Sequence, residues 1–267
     1  MLILGLVVIV LAFTGVWVVS VKLQDASIAD IAWGPGILLL ALTYYLTSNG
    51  SPVRAGLTLV LVAIWAIRLG AHLYIRNQIQ GEDFRYEMLR SRGGPSWWWF
   101  SYFRIFLLQA VLAWIVSIPV YFAIVSIVPD TLTLIDYLGI LVFAAGFAFE
   151  ALSDEQLRRF RGQPRNVKLV LETGAWQYTR HPNYFGEALL WWGLGLIGAA
   201  TGGVVGLIGP ALLTYFLMNV SGPLLERSLK RNKRAYENYI ATTSPFIPRA
   251  PREASAAVSA SAPKRGR

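Results

Sequence analysis

Long runs without a charged residue dominate the pattern of apolar and polar positions along this chain. Residues 1–21, 31–53, 105–129 and 188–225 contain no Asp, Glu, Lys or Arg. A helix that crosses a bilayer needs about 20 predominantly apolar residues, so each run is long enough for at least one crossing. The pattern therefore predicts an all-α, polytopic membrane protein.

The same pattern predicts seven membrane-spanning helices. The run 188–225 would be about 57 Å long as one helix, nearly twice the hydrocarbon thickness of about 30 Å. We therefore expect it to fold back at residues 201–203 (TGG). The predicted spans are approximately residues 2–20, 28–46, 53–74, 106–128, 132–161 with its end beyond the bilayer, 184–200 and 204–220.

Lys and Arg residues are concentrated in alternate connections. Five occur in residues 76–104, six in 155–181 and ten in 226–267, whereas the connections on the opposite side contain none. Cytoplasmic loops of membrane proteins carry such an excess. This asymmetry predicts an N-terminus outside the membrane and a C-terminus in the cytoplasm.

Composition agrees with a lipid environment and excludes several functions. Charged residues make up 15% of the chain, whereas a soluble domain usually carries about 25%. The absence of cysteine excludes a disulfide framework, a thiolate nucleophile and cysteine-ligated zinc or iron–sulfur clusters, and the two histidines, His72 and His181, argue against a metal site. We interpret the net charge of +9 as an excess of basic loop residues, without a role in nucleic-acid binding.

The ends of the chain differ in character. Residues 1–248 are predicted to form a single membrane domain, and the first apolar run is interpreted as a retained span because MLILGLVVIV has no basic region before it. From residue 249 onward the chain consists mainly of Ala, Ser, Pro and basic residues without apolar periodicity. Residues 249–267 are therefore predicted to be a disordered basic tail.

Charged side chains within or beside the predicted spans are candidates for function, because a charge near the middle of a bilayer costs several kcal/mol. Asp30 precedes residues 34–36 (GPG), which favour a local opening of the helix, so we expect Asp30 to line a cavity. Arg68 either contributes to a site or forms a buried ion pair with Asp30 or Glu150. The full set is Asp30, Arg68, Glu150, Asp154 and Glu187.

The segment around Pro182 predicts an anion site. Pro182 suits the first position of a helix, and the free N–H groups of that first turn favour a phosphate, with Arg180 and His181 beside them. Gly186 allows another group to approach the backbone closely. The basic loop 158–168 either joins this site or reflects the orientation rule and contact with anionic lipid.

Six short segments within residues 25–248 match the motifs of a known family. They are RHPNYFGE at 180–187, YENY at 236–239, PFIP at 245–248, DIAWG at 30–34, WAIRL at 65–69 and GEDFRY at 81–86. With these segments the chain resembles the C-terminal domain of the steroid 5-alpha-reductase family, and most of all its bacterial branch of uncharacterised members. The resemblance implies a bacterial inner membrane rather than an endoplasmic reticulum.

The resemblance implies a seven-helix reductase that holds NADPH in a cavity open to the cytoplasm. Such an enzyme reduces the carbon–carbon double bond of an enone-containing lipid, with a 3-oxo-Δ4-steroid as the type substrate. Its partners are a hydrophobic small molecule and the lipid bilayer. Asp30 stands where the family places a carboxylic acid against the ketone, and Trp65 stands at the position of the family's tyrosine. Trp65 donates a hydrogen bond but no proton, and Ala29 stands where the family commonly has a glutamine. These departures and the shorter side chain of Asp30 leave a different enone open as the substrate.

The resemblance and the anion-site argument together give the predicted cofactor-binding residues. They are Arg68, Glu150, Asp154, Arg158, Lys168, Arg180, His181, Asn183, Tyr184 and Glu187.

Two alternatives remain open. The pattern Arg-His-Pro-x-Tyr-x-Gly also occurs in membrane methyltransferases of the isoprenylcysteine carboxyl methyltransferase and phospholipid methyltransferase type, where it binds S-adenosylmethionine. Those enzymes usually carry two adjacent glutamates near the end of the last span, whereas Glu226 is followed in this chain by Arg227. A lipid-binding or scaffold protein without catalysis is the third hypothesis.

Overall fold

The computed structural model describes residues 1–233 and 235–252. These residues are helical throughout their regular elements and contain no strand. Most of the predicted tail, from residue 253 onward, lies outside the described residues. The all-α prediction is confirmed for the part of the chain that the structure describes.

The α-helices follow one another along the chain, numbered from the N-terminus. They are α1 (Leu2–Leu23), α2 (Ile28–Ile31), α3 (Trp33–Thr47), α4 (Pro52–Gln80), α5 (Phe84–Gly93), α6 (Trp97–Ser101), α7 (Leu108–Val116), α8 (Ile118–Val125), α9 (Leu134–Arg161), α10 (Pro182–Ala199), α11 (Ile208–Phe216), α12 (Gly222–Asn232) and α13 (Tyr236–Thr242). Short π-helical segments at Tyr102–Leu107 and Leu217–Ser221 join α6 to α7 and α11 to α12.

Several helical segments are long and apolar enough to cross a membrane, which identifies a multi-pass membrane protein. The predicted span 184–200 corresponds to α10, an 18-residue helix that is not among these segments. Within the described residues there are six: Leu2–Leu23, Ile28–Thr47, Pro52–Ile79, Phe84–Val116, Leu134–Arg161 and Val204–Asn232.

The fourth of these segments begins earlier than the sequence predicted. A break at Gly81, whose φ is 73°, ends α4, and Asp83 then caps α5 by accepting a hydrogen bond from the Arg85 N–H at 3.0 Å. An aspartate at this position satisfies a helix N–H that has no partner within the helix. The helix therefore restarts at Phe84 rather than near residue 106.

The chain divides into two compact units. The first comprises Met1–Ile140 and Leu194–Pro210, and the second comprises Leu141–Gly193 and the described residues from Ala211 onward. The predicted fold-back at residues 201–203 belongs to the first unit and is confirmed, because α10 ends at Ala199 and Gly202 has a φ of 83°. Glycine adopts this left-handed conformation at little steric cost.

The first unit is built around α3. Helices α1, α4, α7 and α8 all pack on it, and its Leu40, Ala41 and Tyr44 are fully buried. The outer faces of the unit remain apolar, since Ile3 and Leu11 of α1 are 78% and 66% exposed. A soluble protein rarely exposes large contiguous apolar surfaces, so we assign these faces to lipid contact.

A buried ion pair connects the start of α4 to the start of α9 within the first unit. The side chains of Arg54 and Asp136 are 0% exposed, and two guanidinium nitrogens donate to the two carboxylate oxygens at 2.9 and 3.1 Å. Arg54 also donates to the carbonyl oxygens of Pro129 and Thr131 at 2.5 and 2.6 Å, and the Thr133 N–H donates to Asp136 at 2.7 Å. These contacts satisfy two charges that would otherwise cost several kcal/mol each.

Replacing one member of this pair is expected to destabilise the protein strongly. Asp136→Asn leaves a fully buried guanidinium without its counter-charge, which costs about 3 kcal/mol or more. The double variant Arg54→Met/Asp136→Leu removes both charges and is expected to melt above Asp136→Asn. Thermal unfolding in detergent, followed by tryptophan fluorescence, measures the difference.

Glu155→Gln is the matched control for Asp136→Asn. Glu155 lies on the same helix and pairs with Arg158 and Arg159, but its side chain is 37% exposed. Removing an exposed pair changes stability by less than about 1 kcal/mol. Equal melting temperatures for Asp136→Asn and Glu155→Gln would show that the buried pair does not hold the unit together.

Candidate functional site

Asp30 lies at the centre of a polar cluster in the first unit. An Arg85 Nη donates to its Oδ2 at 2.6 Å, and the Tyr86 hydroxyl donates to its Oδ1 at 2.6 Å. The Gln109 amide also donates to Oδ1, at 3.2 Å. The sequence singled out Asp30 but none of these three partners, which we call, with Asp30, the Asp30 cluster.

Helix α5 places two members of this cluster. Its cap, Asp83, also accepts a hydrogen bond from the Arg85 Nε at 2.8 Å, so the carboxylate that begins the helix also holds the guanidinium that reaches Asp30. Burial of Asp83 disfavours its ionised form, but the hydrogen bonds and positive charge of Arg85 outweigh burial and lower the pKa of this carboxyl. Tyr86, next along α5, is 7% exposed.

Hydrogen bonds also fix the loops on either side of the cluster. The Ala26 N–H donates to Glu82 at 2.9 Å, and the Asn77 amide donates to Asp25 at 3.1 Å and to Ser27 at 2.7 Å. Burial raises the pKa of the Glu82 carboxyl. These contacts hold the turn before α5 against the loop that leads into α2.

A cavity of about 290 Å³ opens beside α5. Three of its side chains are carboxylates, but no group of three or more His, Asp or Glu in residues 1–233 and 235–252 is placed to hold a metal ion. The lining residues are Arg76, Gly81, Glu82, Asp83, Phe84 and Glu87.

The other predicted residues of the first unit lie on α4. Trp65 is fully buried there, and Arg68 follows one turn later. Helix α2 packs on α4, so the helices that carry Asp30 and Trp65 are neighbours. The sequence interpreted Trp65 as the replacement for a tyrosine, whereas the structure places a tyrosine hydroxyl, that of Tyr86, on Asp30 from another helix.

In the second unit, α9 and α10 cross in close contact. A Cβ on Gly186 would lie 2.5 Å from the backbone nitrogen of Glu150, so only glycine permits this approach. The group that approaches Gly186 is therefore the backbone of α9. Near this crossing the Asn183 amide donates to Asp154 at 3.0 Å, and Glu150 and Asp154 are both buried.

The predicted residues Arg180 and His181 converge on Glu226. The Arg180 Nε donates to Glu226 Oε1 at 2.7 Å, and His181 Nε2 lies 3.0 Å from the same oxygen. Both residues are buried. The anion beside the start of α10 in this structure is thus a carboxylate of the chain itself.

Arg180 also holds the C-terminal segment of the second unit. One of its Nη atoms donates to the carbonyl oxygens of Ile240 and Thr243 at 3.2 and 2.8 Å, and its backbone N–H donates to Ser244 at 2.9 Å. The Thr179 hydroxyl adds a bond to the Phe246 carbonyl oxygen at 2.8 Å. These bonds fasten residues 236–246 to the start of α10.

The remaining predicted cofactor residues are less enclosed. Arg158 is 58% exposed and pairs with Glu155 at 2.6 Å, and Lys168 is exposed in the loop after α9. Tyr184 and Glu187 lie on α10, where the His181 and Tyr184 rings are stacked with their centroids 5.3 Å apart.

Sequence reasoning missed Arg85, Tyr86 and Gln109 although a local signal existed. Glycine often ends a helix and aspartate often begins one, so Gly81 followed by Asp83 predicts a new helix at Phe84. That signal places Arg85 and Tyr86 in the first turn of the helix. It does not reveal that they contact a residue 55 positions earlier.

The helices and their polar clusters define a multi-pass, all-helical membrane protein. Residues 16–243 match the family DUF1295, described as a protein family of unknown function, and the chain belongs to this family. An uncharacterised protein of Schizosaccharomyces pombe (strain 972) is 26% identical over 208 residues. The match covers 68% of this chain, which spans about 60% of the length of that relative. No solved structure matches the chain significantly.

The contact between Arg180 and Glu226 is expected to stabilise the C-terminal segment. Glu226→Gln removes the charge that matches a buried guanidinium, and the lost charge-assisted hydrogen bond contributes about 1.5–3 kcal/mol. Backbone hydrogen exchange of residues 178–181 and 240–246 is expected to accelerate about tenfold or more. Glu237→Gln, which changes an exposed glutamate of α13, is the control and should leave these rates unaltered. Unchanged exchange in Glu226→Gln would contradict the assignment.

Proposed function

We propose that this protein is an NADPH-dependent reductase of the carbon–carbon double bond of an enone-containing lipid. The observation that carries the proposal is the Asp30 cluster. It gathers a carboxylate, a guanidinium, a phenol and an amide from the short helix α2, the polar helix α5 and the apolar helix α7. Asp30 and Arg85 both lie in segments long and apolar enough to cross a membrane, where a charge is costly and marks function.

The chemistry of enone reduction accounts for such a cluster. Addition of a hydride to the β-carbon moves negative charge onto the carbonyl oxygen, and hydrogen-bond donors fixed beside that oxygen stabilise the charge. Tyr86, the phenol donor, is 7% exposed, and limited access of water strengthens this interaction. In the proposal Asp30 and Trp65 are the catalytic residues, as the resemblance implies.

Membership of the family gives the proposal general support, without specifying a substrate. It includes members that resemble steroid 5-alpha-reductases. The segments 30–34, 65–69 and 180–187 of this chain carry the same resemblance. The substrate class we propose is a hydrophobic enone, with a 3-oxo-Δ4-steroid as the type compound.

Some of the predicted cofactor residues suit a dinucleotide phosphate. The exposed cations Arg158 and Lys168 are accessible to a phosphate, and the Asn183–Asp154 pair offers hydrogen bonds to a ribose or an amide. Arg180 and His181 both already contact Glu226, so we assign the phosphates to the loop cations. When bound, NADPH would supply the hydride. The remaining proposed contacts in the second unit are Glu150, Tyr184 and Glu187, and the role of Arg68 stays a prediction from the sequence.

We also propose seven spans, with α10 as the additional one. Its 18 residues would extend about 27 Å, close to the hydrocarbon thickness of about 30 Å. The distribution of Lys and Arg then places the N-terminus outside and the C-terminus in the cytoplasm. A bacterial inner membrane is the proposed location.

One observation favours a second candidate, an S-adenosylmethionine-dependent membrane methyltransferase. Arg180 and His181 of the shared motif both contact Glu226, the glutamate near the end of the last candidate span. In this alternative those three residues would bind the cofactor. The Asp30 cluster has no part in it, which is why we prefer the reductase.

Nucleotide binding distinguishes the two functions. We expect NADPH to raise the melting temperature of the detergent-purified protein more than NADH, and S-adenosylmethionine to have no effect. We assign Lys168 to the 2′-phosphate, which NADH lacks. Lys168→Gln is therefore expected to weaken NADPH binding about tenfold or more with little change for NADH, because a hydrogen bond to a charged group contributes about 1.5–3 kcal/mol. Lys22→Gln, at the exposed end of α1, is the control. Stabilisation by S-adenosylmethionine alone would overturn the reductase proposal.

A further inference from the structure

We infer that the Tyr86 hydroxyl is the acid that donates a proton to the carbonyl oxygen of the substrate, an inference that rests on the proposed reductase function. Asp30 is then the group that positions this hydroxyl. The resemblance assigns the acid to Asp30 and leaves Trp65 in place of a tyrosine. The contacts of the Asp30 cluster assign the proton differently.

Asp30 is an acceptor in this structure. Its two carboxylate oxygens receive hydrogen bonds from Arg85 at 2.6 Å, Tyr86 at 2.6 Å and Gln109 at 3.2 Å. Each of these three hydrogen bonds is donated to Asp30, and none of them uses a hydrogen of its carboxyl group. We therefore assign the acid to one of the donors.

Tyr86 carries the most acidic proton among these donors. A guanidinium remains protonated in proteins and an amide does not act as an acid, so the phenol is the one of the three donors that can release a proton. The phenol is also mobile about its C–O bond, so its hydrogen can turn from Asp30 to a substrate oxygen without moving the ring. Tyr86 is 7% exposed, which keeps this exchange away from bulk water.

Gln109 supplies an independent sign that a ligand binds at the cluster. Its amide nitrogen donates to Asp30 at 3.2 Å and to the Tyr86 oxygen at 3.1 Å. If the amide were flipped, its oxygen would face the Asp30 carboxylate, so the nitrogen occupies this side and Oε1 points away from Asp30. Among residues 1–233 and 235–252 no group donates a hydrogen bond to that buried oxygen. A buried acceptor without a donor costs about 1–3 kcal/mol, which a ligand donor would recover.

Arg85 provides the charge that the proton transfer requires. Its guanidinium carbon lies 5.4 Å from the centroid of the Tyr86 ring, in addition to its ion pair with Asp30. A phenolate next to a carboxylate alone would be repelled. The Arg85 cation, which contacts Asp30 and lies near the Tyr86 ring, offsets that repulsion.

The proposed reaction transfers a hydride and a proton to the enone. The β-carbon receives a hydride from NADPH, which is oxidised to NADP⁺, and the electron pair of the carbon–carbon double bond shifts toward the carbonyl carbon. The carbonyl oxygen gains an electron pair and takes the Tyr86 proton, which gives an enol. The enol O–H then donates to Gln109 Oε1. The enol then returns to the ketone. Water protonates the α-carbon, and the enol O–H gives its proton back to the Tyr86 phenolate.

The test compares Tyr86→Phe with Tyr102→Phe in protein reconstituted with NADPH and the 3-oxo-Δ4-steroid progesterone. Tyr102 lies in the same unit, but its hydroxyl contacts Thr14 at 3.1 Å. Loss of a general acid lowers the rate by about 100-fold or more, so we expect this fall in kcat for Tyr86→Phe, with NADPH affinity retained. Tyr102→Phe should keep the native kcat. Native kcat in Tyr86→Phe would overturn the inference.

Two further measurements separate an acid from a structural residue. Tyr86→3-fluorotyrosine makes the phenol more acidic, and we expect the alkaline limb of the kcat profile to move to lower pH. Infrared difference spectra of progesterone labelled with ¹³C at its C3 carbonyl, bound with NADP⁺, should show a carbonyl band at lower wavenumber in native protein than in Tyr86→Phe. If the alkaline limb of the kcat profile does not move, or if native protein and Tyr86→Phe give identical carbonyl bands, Tyr86 has only a packing role. If native protein neither reduces progesterone nor binds NADPH, the proposed function fails, and the infrared comparison with progesterone alone decides whether Tyr86 contacts a ketone.

Discussion

The cost of placing a charge among apolar helices governs this structure. Arg54 and Asp136 meet this cost by complete enclosure, with two backbone carbonyl oxygens and a threonine N–H completing the pair. Arg180 meets it through Glu226 and the carbonyl oxygens of the C-terminal segment. Each unit therefore has a polar contact that both removes an energetic penalty and fixes segments distant in sequence.

The same constraint separates a structural contact from a candidate site. The Arg54–Asp136 pair is 0% exposed and its charges are matched on both sides. In the Asp30 cluster, by contrast, Asp30 and Arg85 are 19% and 27% exposed, and Gln109 keeps a buried acceptor without a donor from the described residues. Incomplete hydrogen bonding beside a charged network is expected where a ligand completes it.

Much of the helical architecture could be predicted because it depends on local composition. Charge-free runs indicated most of the spans, although the fourth begins at Phe84 rather than near residue 106, and residues 201–203 located the turn. The partners of the polar residues could not be predicted in the same way. Tyr86 reaches Asp30 across 56 positions and Arg54 reaches Asp136 across 82, and no periodicity within one helix encodes such pairs. Gly186 shows the same limit, since its small size was visible but the α9 backbone that needs it was not.

The contacts of Arg180 have a consequence for biosynthesis. This arginine precedes α10, yet Glu226, Thr243 and Ser244, which receive its hydrogen bonds, are translated more than forty residues later. A growing chain folds from its N-terminus while the ribosome still adds residues at the other end. Until Glu226 has emerged, the guanidinium has none of these partners, and the full set is complete only once Ser244 has emerged. The second unit therefore matures late, after most of the helices have already been inserted.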